Sequence, residues 1–163
     1  MRIFLLLMLC VISAFGAEIN WGPTTKGLQL GIKIETSSST KIYLFLRNTS
    51  DSAQHIQVGH QSQSETFRNF QFLIRTENGN QYTLMSKATL NALQNGIMLP
   101  EIVAIQPGTI AEFKYSEDDF MNFPDLNQEI QQITVALESA PHDLLIREKP
   151  YLWIGKLLSQ LNF

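Results

Sequence analysis

Alternation of apolar and polar residues restricts the fold of this chain more than any other feature. Leu28, Leu30, Ile32 and Ile34 interleave with Gln29, Lys33 and Glu35. Successive side chains of an extended strand point to opposite faces, so a period of two means a strand with one buried face. The next run, Ile42 to Arg47, sends Ile42, Leu44 and Leu46 one way and Tyr43 and Phe45 the other. A strand apolar on both faces is a central strand. Ser37-Ser38-Ser39-Thr40 separates the two runs, and Asn48-Thr49-Ser50-Asp51 ends the second with short side chains that bond their own backbone.

Further strands are expected at Ile56 to Val58, Phe70 to Ile74, Tyr82 to Leu84, Ile102 to Ile105, Ile110 to Tyr115, Ile133 to Leu137 and Tyr151 to Leu158. Asn78-Gly79 between alternating runs predicts a hairpin with a primed turn, which needs positive φ at both central residues. Pro107-Gly108 predicts another turn. Ser86 to Gly96 departs from the pattern: Ser86 can cap, Leu90 and Leu93 lie one helical turn apart, and Asn95-Gly96 can end a helix. Short strands at this spacing read as an all-β, two-sheet antiparallel sandwich with one short helix or helical turn. The sandwich is favoured over a barrel because several strands carry one clean apolar face.

The N-terminus has a different character. Arg2 precedes an apolar run from Ile3 to Ile12, followed by Ser13-Ala14-Phe15-Gly16-Ala17. This is the form of a secretory signal peptide, too short to span a bilayer. Cleavage after Gly16 is preferred, because cleavage after Ala17 places bulky Phe15 three positions back. Residues 1–16 are therefore read as leader and 17–163 as one domain, located in the periplasm or secreted. The single cysteine, Cys10, lies in the leader, so the mature chain has neither a disulfide nor a thiol nucleophile. As a lipid acceptor, Cys10 lacks a small residue before it.

Lys and Arg number 12 against 15 Asp and Glu, and they are scattered. Nucleic acid is not an expected partner, since phosphate binding needs clustered cations. No second long apolar run follows the leader, so no membrane span is expected in the mature chain.

Several segments resemble the immunoglobulin-like β-sandwich domains of exported bacterial proteins. Trp21-Gly22-Pro23-Thr24-Thr25-Lys26-Gly27-Leu28-Gln29-Leu30-Gly31-Ile32 is similar to their opening strand. Leu44-Phe45-Leu46-Arg47-Asn48-Thr49-Ser50-Asp51 resembles a strand-and-turn of those domains, Ile105-Gln106-Pro107-Gly108 a later turn, and Leu152-Trp153-Ile154-Gly155-Lys156-Leu157-Leu158-Ser159 the closing strand. The Trp-Gly opening is the more specific part, since the two turns recur in many β-sandwiches. The resemblance implies a binding or scaffold module with an immunoglobulin-like fold, usually of unassigned role and often attached to other domains.

Reactive constellations are sparse. His55 and His60, five apart in an extended segment, point to opposite faces unless a bulge intervenes. His142, with Asp143 beside it, has no second ligand at a recognisable spacing. A copper variant would combine His60 with Met85, Met98 or Met121, although methionine more often fills cores. No serine lies in a Gly-x-Ser-x-Gly elbow. Glu117-Asp118-Asp119 following Ser116 reads as a capping-box-like helix start rather than an acid-base pair. Trp21, Phe67, Phe70, Tyr82, Tyr151 and Trp153 could build a sugar or peptide platform, with core packing the default. Asn48-Thr49-Ser50 matches a glycosylation sequon and is read as a plain turn.

The expectation is therefore a non-enzymatic exported binding module without cofactor, metal or catalytic residues. Its partner would be an envelope or secreted protein, captured by edge-strand pairing at Leu28 to Ile34 or around Ile56 to Val58. The alternative is an envelope enzyme or metal-handling protein, copper-type, with a site assembled from dispersed residues.

Overall fold

The computed structural model describes residues 18–36, 39–61, 66–88, 99–124, 130–139 and 152–163. The expected leader with Gly16 and Ala17, the expected helix beyond Ala88, and Met98, His142, Asp143 and Tyr151 lie outside them. In chain order the strands are β1 (Asn20–Trp21), β2 (Leu28–Thr36), β3 (Thr40–Asn48), β4 (Gln54–Gln61), β5 (Thr66–Arg68) and β6 (Phe70–Thr76). They continue with β7 (Gln81–Leu84), β8 (Leu99–Ile105), β9 (Ile110–Ser116), β10 (Ile130–Ser139), β11 (Leu152–Trp153) and β12 (Gly155–Asn162). The fold is all-β and sandwich-like, with antiparallel sheets and a single 3-10 turn at Glu117–Asp119 among the described residues.

One layer has the order β1-β2-β3-β9, and β3 is central as its doubly apolar pattern requires. Leu28, Leu30, Ile32, Ile42, Leu44 and Leu46 turn inward and are fully buried. On the outer face Phe45 is covered by Trp21, ring centroids 6.3 Å apart. Trp21 lies over Gly31, where a Cβ would come within 2.7 Å of the indole. The ring can approach the sheet so closely only because that position has no side chain.

A second sheet is ordered β12-β10-β6-β7, and β4 belongs to a third, flanked by β5, β8 and β11. β8 pairs along one edge of β4. The other edge takes β5, running antiparallel, and β11, running parallel. These two strands approach from opposite directions, turn at Asn69 and Ile154, and continue as β6 and β12 on either side of β10. The expected closing strand, Tyr151 to Leu158, is thus two strands with different partners, broken at Ile154. Trp153 fills the corner: it is 5% exposed, its Nε1 donates to the Lys26 carbonyl at 3.2 Å, and its ring packs over Gly155.

One expectation about turns is corrected. The primed turn sits at Lys26-Gly27, with φ of +47° and +81°. It is closed by reciprocal bonds between Thr25 and Leu28 of 2.8 and 3.0 Å. The Asn78-Gly79 hairpin joins β6 to β7, but its positive φ is confined to Gly79, at +84°. Asn78 instead uses its side chain, Oδ1 accepting from Thr76 Oγ1 at 2.6 Å and from the Asn80 amide at 3.2 Å. That is the three-residue loop in which a turn is followed by a left-handed glycine.

Asn48 ties the β1-β2-β3-β9 sheet to the β4–β8 sheet. It is fully buried, its Nδ2 donating to the Ser52 carbonyl at 2.7 Å and the Ile105 carbonyl at 2.8 Å. Its Oδ1 accepts from the Ser50 amide and hydroxyl. The sequon asparagine is therefore a structural side chain, as the turn reading expected.

Candidate functional site

β4 carries two of the residues singled out by sequence. A bulge between Gln57 and Gly59 sets His55 opposite Ala104 and His60 opposite Pro100. Those partners lie four positions apart on β8, so the bulge puts both imidazoles on one face but roughly 13 Å apart along the strand. One metal ion cannot bridge them. Gln57, between them, is 4% exposed and its amide contacts the Gly59 carbonyl and the His60 ring. Met85 and Met121 are exposed neighbours joined by a backbone bond, Met121 N to Met85 O at 2.9 Å. Among the described residues no three His, Cys, Asp or Glu side chains form a metal-binding group.

The same pairing overturns one expected recognition edge. β4 is bonded on both sides, by β8 on one and by β5 and β11 on the other, so Ile56 to Val58 offers no open backbone. The other expected edge, β2, is half covered, because β1 pairs at Gly31 and Ile32. Its remaining outer length carries Lys33 and Glu35, bonded to each other at 2.6 Å.

The aromatic platform is dispersed into packing. Phe70 and Trp153 are buried, Tyr82 and Trp21 half-buried, and the Arg47 guanidinium stacks 4.3 Å from the Trp21 ring centre. The side chain of Phe67 lies outside the described residues. Ser116 and Asp119 form the expected cap, Asp119 Oδ2 accepting from the Ser116 amide at 2.7 Å, although it starts one 3-10 turn rather than a longer helix.

The concave feature with convergent chemistry lies along β9. A recess of about 210 Å³ is lined by Phe70, Phe72, Tyr115, Lys114 and Arg68, with Ser86, Lys87, Ala88, Asp118 and Asp119 completing its wall. Lys114 and Tyr115 are consecutive strand residues and point to opposite faces of their sheet. A hollow touching both must run along the strand's edge. β3 occupies one edge of β9, so the recess marks the other, which no strand among the described residues pairs. It is the open seam of the sandwich between β9 and β5–β6.

Beneath the seam is an aromatic floor. Phe70 meets Phe113 at 5.1 Å, and Phe72 meets Tyr115 at 5.2 Å and Phe120 at 5.1 Å between ring centres, mostly edge to face. At one end Arg68 and Glu101 reach each other across Gly59, which stands between them in the β8–β4–β5 register. Arg68 Nε lies 3.6 Å from Glu101 Oε2, and the guanidinium sits 5.2 Å from the Phe113 ring centre. Burial holds the Tyr115 hydroxyl far above the ordinary phenol range, with Arg68 pulling the other way. Tyr115 therefore stays a neutral hydroxyl in physiological conditions. Its oxygen, Arg68 Nε and Glu101 Oε2 are buried without a close hydrogen-bond partner. Of these groups, Arg68 and Tyr115 line the recess.

Sequence reasoning placed Ile110 to Tyr115 as a strand but did not single it out as an edge. The usable signal was local: seven residues without proline or glycine, with Glu112 and Lys114 on the exposed face. The fold is an antiparallel β-sandwich in which, among the described residues, no strand pairs the far edge of β9. No protein-family model matches the chain, and no curated protein matches it in sequence.

Proposed function

We propose that this protein is an exported, immunoglobulin-like, non-enzymatic binding module of the periplasm or extracellular space. It recognises an extended protein segment by strand addition to β9. The observation that carries the reading is the recess bounded by both faces of β9, which joins an edge that no strand among the described residues pairs to a pocket for one side chain. Strand addition works in this way: backbone bonds supply affinity and a pocket for alternate side chains supplies selectivity. A volume of 210 Å³ is below the range of small-molecule sites and suits a single apolar side chain over Phe70 and Phe72. Other open edges are poorer. β7 has four residues, and β8 carries Pro100, which cannot donate to a ladder. The leader-like N-terminus supports export, and the segment resemblances support the immunoglobulin-like family.

A displayed library of random heptapeptides tests this. Selected peptides should share an alternating pattern with one bulky apolar residue. Their binding should slow amide exchange in residues 110–116, and Ala88→Trp, which fills the recess, should weaken it at least tenfold. Protection appearing on β8 or β2 instead, or binding indifferent to Ala88→Trp, would refute it.

A further inference from the structure

We propose that the seam is closed by a second copy of this chain, two β9 strands pairing antiparallel about a two-fold axis at Phe113. The inference rests on β9 being the recognition edge and names its occupant. Charge complementarity along the strand carries it. The outer face of β9 presents Ile110, Glu112, Lys114 and Ser116, of which the first three are exposed. Centring the pair on Phe113 sets Glu112 against the partner's Lys114, and Lys114 against the partner's Glu112. Opposite charges directly across a ladder stabilise it, and like charges oppose it.

Other registers fail on the same residues. Centring on Glu112 sets that carboxylate against its own copy, and centring on Lys114 does the same with ammonium groups. A shift of one residue places the two cores on opposite faces of the joined sheet. The Phe113 register is the one that satisfies charge and burial together.

Inward-facing residues agree. Phe113, under the Arg68 guanidinium, meets the partner's Phe113, and Ala111 leaves room opposite the partner's Tyr115. An antiparallel pair centred on one residue forms a ladder whether that pair is the narrow or the wide kind. The contact is isologous, and it doubles the four-stranded β1-β2-β3-β9 sheet while covering the floor of Phe70 and Phe72.

Sedimentation equilibrium on the chain recovered after expression with its native leader tests the proposal. Apparent mass should rise with concentration to twice the monomer. Glu112→Lys and Lys114→Glu each create two like-charge pairs across the axis, and each should raise the dissociation constant at least tenfold. Mixed in equal amounts, the two variants restore both opposite-charge pairs and should recover the dimer. Both positions are exposed, so circular dichroism of the variants should match the wild type. Amide exchange in residues 110–116 of the wild type, slowing as concentration rises, gives a reading independent of the variants. A wild type monomeric at every concentration, or variants that each dimerise like the wild type, would overturn the second copy as occupant. If selected peptides still protect β9 in a monomeric chain, the edge reading stands and the self-pairing falls. If the β9 amides that face away from β3 are already protected in the monomer, both fall.

Discussion

Replacing Asn48 tests the junction between β3 and the β4–β8 sheet and distinguishes donors from mere volume. Asn48→Ala removes two bonds donated by Nδ2 and two accepted by Oδ1. The Ser52 carbonyl and the Ser50 groups are close enough to solvent to find water, so each of those bonds is worth the usual net ~1 kcal/mol or less. The Ile105 carbonyl is not: its bond is buried, and leaving it bare costs about 1–3 kcal/mol. The alanine variant should lose roughly 3–4 kcal/mol, a large share of a typical stability of about 5–15 kcal/mol. Asn48→Asp keeps the shape and the acceptor but turns a carboxylate toward two carbonyl oxygens at 2.7 and 2.8 Å. Near neutral pH it should be the worse of the two, by about 1–2 kcal/mol, since a buried charge is left uncompensated. Burial and those carbonyls raise the folded pKa of the new acid above its unfolded value. Its favourable protonated form is therefore complete below the unfolded pKa, and stability is lost as pH rises through the folded pKa, at up to ~1.4 kcal/mol per pH unit. Urea titrations of wild type and both variants across the acidic range give the answer. Aspartate should approach or pass alanine on acidification. Parallel curves for the two variants at all pH values would show that the amide donors do not hold this junction.

Gly79→Val should cost more than Gly108→Ala in urea titration. Both glycines have positive φ, +84° and +70°, with open space around them, so the difference comes from β-branching alone and should be about 1 kcal/mol. Tyr115→Phe should be neutral or stabilising by up to ~1 kcal/mol, because it deletes a buried hydroxyl without a close partner. Tyr115 has a folded pKa above the unfolded value of 10.0, so its contribution to stability is complete below that pH and is lost as pH climbs past it. Tyr115→Phe should accordingly resist alkaline unfolding better than wild type in matched melts. A loss above 1 kcal/mol near neutrality would show the hydroxyl to be well bonded. The chain recovered from its native leader should begin at Ala17 or Glu18 by mass spectrometry, and its melting curve should not respond to a thiol reductant.

What alternation showed and what it hid divide along a physical line. Leu28 to Ile34 and Ile42 to Leu46 were legible because burying a face leaves its mark on every second residue. The turn at Lys26-Gly27 was not, because lysine has no preference for left-handed backbone. It holds that conformation through its surroundings: Nζ donates to the Ile154 carbonyl at 2.9 Å, and its own carbonyl accepts from Trp153. β4 misled for a related reason. Gln54-His55-Ile56-Gln57-Val58 has a polar face that looks solvated, yet Gln57 is buried because its amide finds the Gly59 carbonyl and the His60 ring. A polar side chain reports exposure only when nothing nearby can bond it.

Edge status is harder still to see in a sequence, because it belongs to the neighbours of a strand rather than to the strand. β9 alternates much as β2 does. Among the described residues its far side has no partner strand, because β8, the preceding strand, crosses to pair β4 in another sheet, while β3 takes the near side. The recess follows from the same crossing. Arg68 and Glu101 meet there only because β5 and β8 flank β4 at Gly59, three segments far apart in the chain. The charges on β9 were readable from the start, but without knowledge of the open edge Glu112 and Lys114 are two ordinary surface residues. With it, their spacing selects one register of self-pairing out of several, and a local pattern becomes a statement about assembly.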